Sequence, residues 1–237
     1  MAVETADVRG HLVIRDDHYT WRWFDAFGPN VVKWFLDLAV LPQDASANPA
    51  GYTTTEVGTN TIALSDSTDG QQVLITTGGT EDNGLQIQPL GESFSFASGY
   101  PCYFGCRFAV NDADAVDVFV GLAIQDTTML AGCSDDIGFR TDDGVTPLQF
   151  ILEKDSLESS TSVGTLTDAG WVEAEFYFDG AYVYAYVNKV LQATVAYTDT
   201  NFPDNEHLTP TIAILTGDNS ANTLTVAWAR AIQIYST

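Results

Sequence analysis

The sequence predicts an antiparallel all-β sandwich with little helix, and two features of the chain support this. In many short segments apolar residues recur at every second position, which is the pattern of strands with one buried face. Clusters of Asp, Asn, Gly and Ser separate these segments and are typical of tight turns, so a sandwich or barrel is expected. Two clear runs are Val116, Val118, Val120, Leu122, Ile124, and Leu224, Val226, Trp228, Ile232, Ile234.

Length and composition are compatible with one folded domain. The chain has 237 residues, of which 45% are hydrophobic and 12% aromatic, enough to bury a large core. Sandwiches of roughly 200–250 residues commonly form single units. We therefore predict an N-terminal arm over residues 1–18 and a single β-sandwich domain over residues 19–237.

The chain is strongly acidic because bases are scarce. Nine Lys and Arg residues stand against 32 Asp and Glu residues, which gives a net charge of −23. A phosphate backbone would be repelled, and no cluster of bases provides counterion release, so nucleic acid is excluded as a partner. The N-terminus lacks the basic and apolar regions of a signal peptide, and no stretch approaches the ~20 apolar residues of a membrane helix. We expect a protein made in the cytoplasm and without a membrane partner.

Residues 30–41 form the only helix candidate, and they fit a buried strand equally well. Residues 42–55, rich in Pro, Ala, Ser and Thr, are predicted to be a long surface loop. A helix that starts after Pro29 would carry on one face the residues Val31, Trp34, Phe35 and Leu38.

A hairpin is predicted at Asp179-Gly180, because both residues tolerate the positive φ of a two-residue type I′ turn. This register pairs Val172, Ala174 and Phe176 with Val187, Ala185 and Val183 on a face predicted to be core. The opposite face then carries Glu173, Glu175, Tyr177, Tyr182, Tyr184 and Tyr186.

The next turn, Asn188-Lys189, leaves two alternatives open. A two-residue turn there would place Leu191, Ala193 and Val195 on the tyrosine face, which conflicts with the core assignment. Either this loop is effectively three residues long, or the tyrosine face is also covered.

Cysteines and histidines give no functional pattern. An odd number of cysteines, Cys102, Cys106 and Cys133, excludes a closed disulfide framework, and the first two are predicted to be buried hydrophobes without zinc. No Ser or Cys motif accompanies the histidines, which are predicted to be solvated or structural; they are His11, His18 and His207.

Acidic turns provide oxygen ligands of the kind that Ca²⁺ prefers, although none has the spacing of an EF-hand loop. A bound Ca²⁺ is the one cofactor considered, and solvated loops are the alternative. The turns are Asn111-Asp112-Ala113-Asp114 and Ser134-Asp135-Asp136.

Several segments resemble the concanavalin A-like (lectin/glucanase) jelly roll, in particular the acidic structural proteins of tailed bacteriophage virions. They cover about half of the chain, and Lys189 departs from the Asn-Gly turn common in that group. The segments are Trp23-Phe24-Asp25-Ala26-Phe27, Trp171-Val172-Glu173, Phe176-Tyr177-Phe178-Asp179-Gly180, Tyr186-Val187-Asn188, residues 202–210 and residues 221–231.

The resemblance implies a jelly-roll sandwich whose first and last strands lie side by side. It also implies a non-enzymatic virion component, such as a capsid decoration or cement protein that binds assembled capsid subunits and is located on the virion, with a homo-oligomer as a further possibility. We accordingly expect residues 19–27 to pair with residues 223–235.

One segment fits the E-x-D-x-x-E spacing of some retaining glucanases of this fold, Glu153-Lys154-Asp155-Ser156-Leu157-Glu158. A retaining mechanism needs two carboxyl groups about 5–5.5 Å apart. In a plain strand Glu153 and Glu158 face opposite sides, so a bulge would be required. The segment Leu157-Glu158-Ser159-Ser160-Thr161-Ser162 is typical of the polar tip of a hairpin. We predict a solvated turn, no catalytic residues and no enzyme activity.

The stripe Tyr182, Tyr184, Tyr186 is the candidate binding site, because aromatic faces suit both sugars and protein interfaces. Burial in a core or interface is the alternative explanation of the stripe. A lectin-like carbohydrate-binding module is therefore the alternative to a capsid-binding protein.

Overall fold

The computed structural model describes residues 2–36, 49–68, 70–127 and 133–235, and every regular element in these ranges is a β-strand. The predicted all-β fold with little helix is confirmed. No helix within the described ranges has the length and apolar character needed to cross a membrane.

The strands, in chain order, are β1 (Val3–Val8), β2 (His11–Asp16), β3 (Trp23–Phe27), β4 (Val31–Phe35), β5 (Tyr52–Val57), β6 (Thr61–Ser67), β7 (Gly70–Thr76), β8 (Gly84–Pro89), β9 (Phe94–Ser95), β10 (Cys102–Val110), β11 (Val116–Ala123), β12 (Asp136–Thr141), β13 (Pro147–Lys154), β14 (Leu157–Thr165), β15 (Val172–Phe178), β16 (Tyr182–Val187), β17 (Val190–Ala196), β18 (His207–Thr216) and β19 (Thr223–Ile234).

These strands form two large antiparallel sheets and one small one. Sheet I has the order β17-β16-β15-β10-β19-β7-β6, with β4 also paired to β19. Sheet II has the order β14-β13-β12-β11-β18-β8-β5, with β9 also paired to β18. The small sheet is β1-β2-β3, so it contains residues on both sides of position 18. The division into an arm and a domain stays a prediction.

The core fills the space between sheets I and II and uses the apolar positions of the two-residue repeat. Phe104 and Phe176 of sheet I and Phe139 and Phe150 of sheet II are fully buried. The rings of Phe150 and Phe176 meet across the two layers with centroids 6.0 Å apart. Burial of each such side chain contributes about 1.5–3 kcal/mol, so these rings hold the layers together.

Cys102 and Cys106 belong to this core as free thiols, as the sequence predicts. Burial raises the pKa of both thiols, which disfavours the reactive thiolate. They act as small apolar side chains.

The hairpin between β15 and β16 differs from the predicted one. Phe178 lies opposite Val183, two residues away from the predicted register. The carboxylate of Asp179 accepts hydrogen bonds from the backbone amides of Ala181 and Tyr182, at 2.8 Å each. These bonds move the turn to Gly180-Ala181. The predicted type I′ turn at Asp179-Gly180 is therefore wrong. Because the slip is an even number of residues, each side chain keeps its predicted face.

A β-bulge resolves the two alternatives at Asn188-Lys189. These residues do form a two-residue turn, with φ of 50° and 67°. An extra residue follows in β17, so that Ala193 and Val195 return to the core face while Leu191 stays on the tyrosine face. The bulge thus has the same effect on side-chain direction as a three-residue loop.

Of the two alternatives for residues 30–41, helix and strand, the structure shows a strand in the part that it describes. Residues 31–35 form strand β4, which is the alternative considered for this segment, and residues 37–41 lie outside the described residues. Pairing with β19 favours the extended form of this Val-rich segment. The predicted loop over residues 42–55 is wrong at its end, because β5 begins at Tyr52.

The predicted pairing of residues 19–27 with residues 223–235 is wrong. Strand β3 pairs with β2, and β4 takes the place beside β19, with Trp34 opposite Ala231. Short loops connect β1, β2 and β3, and short loops cost little entropy to close. The first strand of the sandwich itself, β4, nevertheless lies beside the last strand, β19.

The small sheet covers part of the outer face of sheet I, meaning the face turned away from the core. Its Val13, Trp23 and Ala26 pack against Tyr103 and Ile232 of sheet I. The outer face of sheet I thus has a second, smaller apolar core.

A buried ion pair fixes the small sheet to sheet I. The guanidinium of Arg22 donates to Glu175 Oε1 at 2.6 Å and to Glu173 Oε2 at 2.9 Å. Tyr103 Oη also donates to Glu175 Oε1, at 2.5 Å. Glu175 has no exposed surface, and burial raises the pKa of its carboxyl although Arg22 opposes this. Arg22 is the compensating charge for a carboxylate that water does not reach.

We predict that Arg22→Ala lowers the free energy of unfolding by about 3–5 kcal/mol, because it leaves the buried carboxyl of Glu175 without its cation. Urea unfolding followed by tryptophan fluorescence measures the change. The matched control is Arg15→Ala, whose partner Glu4 lies 2.7 Å away in a partly exposed pair. That change is expected to cost only about 0–1 kcal/mol. Equal losses in the two variants would contradict the assigned role of Arg22.

Candidate functional site on the outer face of sheet II

Strand alternation places polar and charged side chains on the outer face of sheet II. In β12, Ile137 and Phe139 face the core, so Asp136 and Arg140 face outward. In β13, Phe150 and Leu152 face the core, so Glu153 faces outward by the same two-residue rule.

The segment that fits the glucanase spacing contains a hairpin turn, but the turn precedes the predicted tip, because residues 157–162 belong to strand β14. Asp155 and Ser156 both have positive φ, 52° and 63°, and join β13 to β14 as a two-residue turn. Glu153 and Glu158 are therefore direct cross-strand partners. The expectation that they face opposite sides is wrong, because it assumed one continuous strand.

Three carboxylates stand in a row across neighbouring strands. Asp136 is the cross-strand partner of Glu153, which in turn is the partner of Glu158. Neighbouring strands lie about 4.7–4.9 Å apart, so side chains in such a row are close neighbours. We call Asp136, Glu153 and Glu158 the acidic row.

One cation interacts with the acidic row. Arg140 Nη1 donates to Glu158 Oε2 at 2.6 Å, and Arg140 Nε lies 3.0 Å from Asp142 Oδ1. Burial raises the pKa of Asp136 well above its usual range, and Glu153 adds to this effect. Burial and the charge of Glu158 also raise the pKa of Glu153. The row therefore contains two carboxyl groups that hold protons more tightly than free ones.

Asp136 Oδ1 is buried and has no hydrogen-bond partner among the described residues. Only 4% of the residue is exposed. It lines a cavity of about 10 Å³ together with Gln86, Cys133 and Thr211. A cavity of this size has room for one water-sized group. A buried acceptor without a donor is unusual in a folded protein.

Beside the acidic row, the outer face of sheet II carries buried side-chain amides and hydroxyls that hydrogen-bond to the segment after β11. Gln86 Nε2 donates to the Asp126 carbonyl at 2.7 Å, and Gln88 Nε2 donates to the Ile124 carbonyl at 2.8 Å and to Thr211 Oγ1 at 2.9 Å. The segment after β11 thus covers the β8–β18 side of the sheet. The open side is the one that carries Glu153 and Glu158.

The predicted tyrosine stripe lies on the other large sheet. Tyr182, Tyr184 and Tyr186 share the outer face of sheet I, as the alternation predicts, and Tyr182 is 46% exposed. Trp21 stacks on Tyr186 with ring centroids 3.6 Å apart and planes within 7°. Tyr184 donates a hydrogen bond to Asp179 Oδ2 at 3.2 Å. The tyrosine face is thus partly covered, and ligand binding by the stripe stays a prediction.

The sequence did not identify Trp21 or Asp136 as important. Trp21 lies far from Tyr186 in the chain, and no local pattern marks such a contact. Asp136 was noted only as part of an acidic turn. In the two-residue repeat of β12, Asp136 shares its face with Arg140 and not with Phe139. This alternation is the sequence signal that could have identified it as an outer-face residue.

The histidines are structural or solvated, as predicted. His11 is buried in the small sheet, with Nδ1 2.9 Å from the Arg9 carbonyl oxygen. His18 and His207 are exposed.

In the described part of the chain, one group of side chains brings three potential metal ligands within 4.8 Å of one another, namely Asp16, Asp17 and His18. Asp16 Oδ1 already accepts the amides of His18 at 2.9 Å and Tyr19 at 3.2 Å, so its carboxylate stabilises a turn. The acidic turns considered for Ca²⁺ are not part of this group. Calcium binding there stays a prediction.

We predict that Asp136→Asn raises the melting temperature at about pH 8 and leaves it unchanged near pH 4. The folded state holds the Asp136 proton more tightly than the unfolded state, whose pKa is near 3.8. This contribution to stability is complete below that value and is lost as the pH rises through the raised pKa. Thermal melts of the two proteins across this range measure the difference. The control Glu206→Gln, at an exposed carboxyl, is expected to follow the parent protein. A constant difference at all pH values would refute the prediction.

No protein-family model and no curated protein matches the chain. Solved structures do share its fold at low sequence identity. A protein of unknown function from Shewanella oneidensis MR-1 is 13% identical, with a TM-score of 0.61 and 87% of each chain covered. The carbohydrate recognition domain of Emp47p is 10% identical, with a TM-score of 0.55, 80% of this chain and 90% of that one covered.

A β-1,3-glucanase from Mycobacterium marinum is 15% identical, with a TM-score of 0.54, and the match covers 86% of this chain and 99% of the glucanase. At these identities the comparisons show similarity of fold alone. The two antiparallel sheets of this protein form a concanavalin A-like jelly-roll sandwich.

Proposed function

We propose that this protein is a carbohydrate-binding, lectin-like module and that it binds a glycan on the outer face of sheet II. The fold is shared with a protein described as a carbohydrate recognition domain and with one described as a β-1,3-glucanase. The acidic row supplies the chemistry for binding on this face.

The observation that carries the proposal is Asp136 Oδ1, a buried oxygen that has no hydrogen-bond partner in the described part of the chain. A buried acceptor without a donor costs roughly 1–3 kcal/mol relative to a paired one. A sugar hydroxyl is an O–H donor about the size of a water molecule, so it fits both the cavity and the missing hydrogen bond. Glu153, at the open side, is only partly buried and offers a second acceptor for the same sugar.

The charge of the site favours neutral glycans over acidic ones. The acidic row holds three carboxyl groups and one neighbouring guanidinium, within a chain of net charge −23. Anionic sugars would meet repulsion at the row and from the field of the whole protein. Hydroxyl groups of neutral sugars donate to carboxylates without this repulsion.

The capsid-decoration hypothesis rests on the sequence resemblance, on the absence of a signal-peptide pattern, on the scarcity of bases and on the lack of a catalytic motif. None of the three structures compared above is described as a virion protein. The comparisons favour the carbohydrate-binding alternative, and a capsid partner and a virion location stay predictions.

Hydrolysis of the bound glycan is a second candidate function, favoured by the cross-strand pairing of Glu153 and Glu158. A retaining glycosidase needs one protonated and one ionised carboxyl group about 5–5.5 Å apart. Burial raises the pKa of Glu153, which suits a proton donor, and Arg140 Nη1 holds the neighbouring Glu158 through a hydrogen bond to Oε2. This observation reopens a function that the sequence alone argued against.

We predict that the intact protein binds neutral oligosaccharides on a glycan array and that Asp136→Asn and Glu153→Gln weaken the binding about 10- to 100-fold, because each replaces a carboxyl group that hydrogen-bonds to the sugar by an amide. Isothermal titration calorimetry with the best array ligand measures the change. Tyr182→Ala is the control, since this exposed side chain lies on the other sheet. Retention of full affinity in Asp136→Asn, or absence of any glycan ligand, would sink the proposed site.

We expect no release of reducing ends when the protein is incubated with soluble β-1,3-glucan, as chromatography of the products would show. The acidic row then acts in binding alone. If sugar is released, and if Glu153→Gln and Glu158→Gln each abolish the release, hydrolysis replaces simple binding as the function.

A further inference from the structure

A second groove lies on the outer face of sheet I, at the end that the small sheet leaves uncovered. It encloses about 270 Å³. The residues that matter for its chemistry are Gln72, Ala109, Asn111, Trp171, Thr223 and Thr225. It lies on the opposite side of the sandwich from the acidic row.

The groove follows from a row of unequal side chains across the sheet. Thr225 pairs with Ala109 on one side and with Leu74 on the other. Trp171 directly precedes Val172, which pairs with Phe108, so Trp171 continues the row next to Ala109. Small side chains at Ala109 and Thr225 form the floor, and the indole of Trp171 forms a wall.

The indole of Trp171 is held in place by a cation. The guanidinium of Arg107 lies over the ring, 4.5 Å from its centroid. Arg107 forms no ion pair with any residue in the described ranges, so this cation–π contact is its main interaction. Arg107 is therefore a positioning residue for the wall of the groove.

Gln72 provides unused hydrogen-bonding groups. Only 7% of this residue is exposed, and its side-chain amide makes no hydrogen bond with the described residues. A glutamine amide offers two donors and one acceptor with two lone pairs. The hydroxyl of Thr225 is likewise free of hydrogen bonds within the described part of the chain, whereas Asn111 is already bonded to Asn222 and Thr223.

The lining of the groove contains no charged side chain, although the chain has 32 acidic residues. Its ligand must therefore be neutral, must offer both donors and acceptors, and must present an apolar face to an indole ring. A pyranose ring meets all three conditions, since its C–H face is apolar and its hydroxyls both donate and accept. We propose that this groove binds one neutral sugar residue, which stacks on Trp171 and hydrogen-bonds to Gln72 and Thr225.

This site is separate from the acidic row, and the proposal does not depend on glycan binding there. With both sites occupied, the protein would hold sugar residues on two opposite faces and connect two glycan chains. Such a bivalent arrangement raises the overall avidity for a surface that carries many glycans.

The experiment is a titration of the intact ¹⁵N-labelled protein with laminarihexaose, and with maltohexaose as a second neutral probe, followed by NMR. We expect saturable shifts of the Trp171 indole N–H and of the Gln72 side-chain amide. Trp171→Ala is expected to abolish the Gln72 shifts, and Gln72→Ala is expected to weaken binding about tenfold. Circular dichroism and thermal melts check that both variants remain folded.

Asp136→Asn separates this proposal from the proposed function. In that variant the shifts at Trp171 and Gln72 are expected to remain, while any shifts near Glu153 are lost. If the neutral sugars shift neither Trp171 nor Gln72 in the intact protein, the groove is not a sugar site, whatever the acidic row binds. Loss of all shifts in Asp136→Asn would also overturn the proposal, because the groove would not bind independently. A dimer that Trp171→Ala dissociates, without sugar-dependent shifts, would assign the groove to self-association instead.

Discussion

Both large sheets bury one face against the same layer of apolar side chains, and this shared core determines what each outer face displays. Phe176 of sheet I meets Phe150 of sheet II across the layer, and neither ring is exposed. With one face of each strand committed to the core, every second residue must point outward. The acidic row, the tyrosine stripe and the groove at Trp171 all consist of such outward positions. A single-residue slip in β13 would exchange Glu153 with Leu152 and destroy both core and site.

Bases are scarce, with nine Lys and Arg residues, and several of them have a defined structural role. Arg22 compensates the buried Glu175, and Arg140 binds Glu158 at the edge of the acidic row. Two others on the outer face of sheet I rest on aromatic rings: Arg230 lies 4.5 Å from the ring centroid of Trp228, and Arg107 lies the same distance from that of Trp171. Cation–π contacts hold a guanidinium without using a carboxylate. In a chain this acidic, the aromatic residues thus position the few cations.

Alternation predicted the faces within most strands but failed in β19, where a bulge leaves Val226 on the core face and puts Ile232 on the outer face. The pairing partners were harder to predict. Alternation assigned Phe176 to the core and Tyr186 to an outer face correctly, because side-chain direction depends only on neighbouring positions. Hairpin registers depend on turn geometry, and the Asp179 side chain shifted one turn by bonding to following amides. Because the register differs from the predicted one by an even number of residues, each side chain keeps its predicted face. Burial therefore does not distinguish the predicted register from the observed one. Positive φ at two successive residues without glycine, as at Asp155 and Ser156, is also difficult to anticipate.

Contacts between residues far apart in the chain could not be predicted from the sequence, for a different reason. The stack of Trp21 on Tyr186 and the bond from Arg22 to Glu175 join the small sheet to residues far along the chain. No spacing rule connects such positions. The same holds for the acidic row, which combines Asp136 with two residues of a hairpin that follows it. The sequence marked Asp136 as part of an acidic turn, and Glu153 and Glu158 as part of a glucanase-like spacing. Their alignment required the register of three strands.

Asp136 is the position where the local rules of folding are broken most clearly. Asp136 Oδ1 is buried without a donor among the described residues, which weakens the folded state, and its acidic neighbours in the row weaken it further through repulsion. An asparagine there would keep the shape of the side chain and remove the charge. Residues that lower stability without a structural benefit are typical of functional sites, where activity and stability are in conflict. A ligand that donates a hydrogen bond to Asp136 would satisfy the buried oxygen. The free energy that the unpaired oxygen costs in the folded state would then add to the binding free energy. This coupling is the physical reason for proposing a glycan site on the outer face of sheet II.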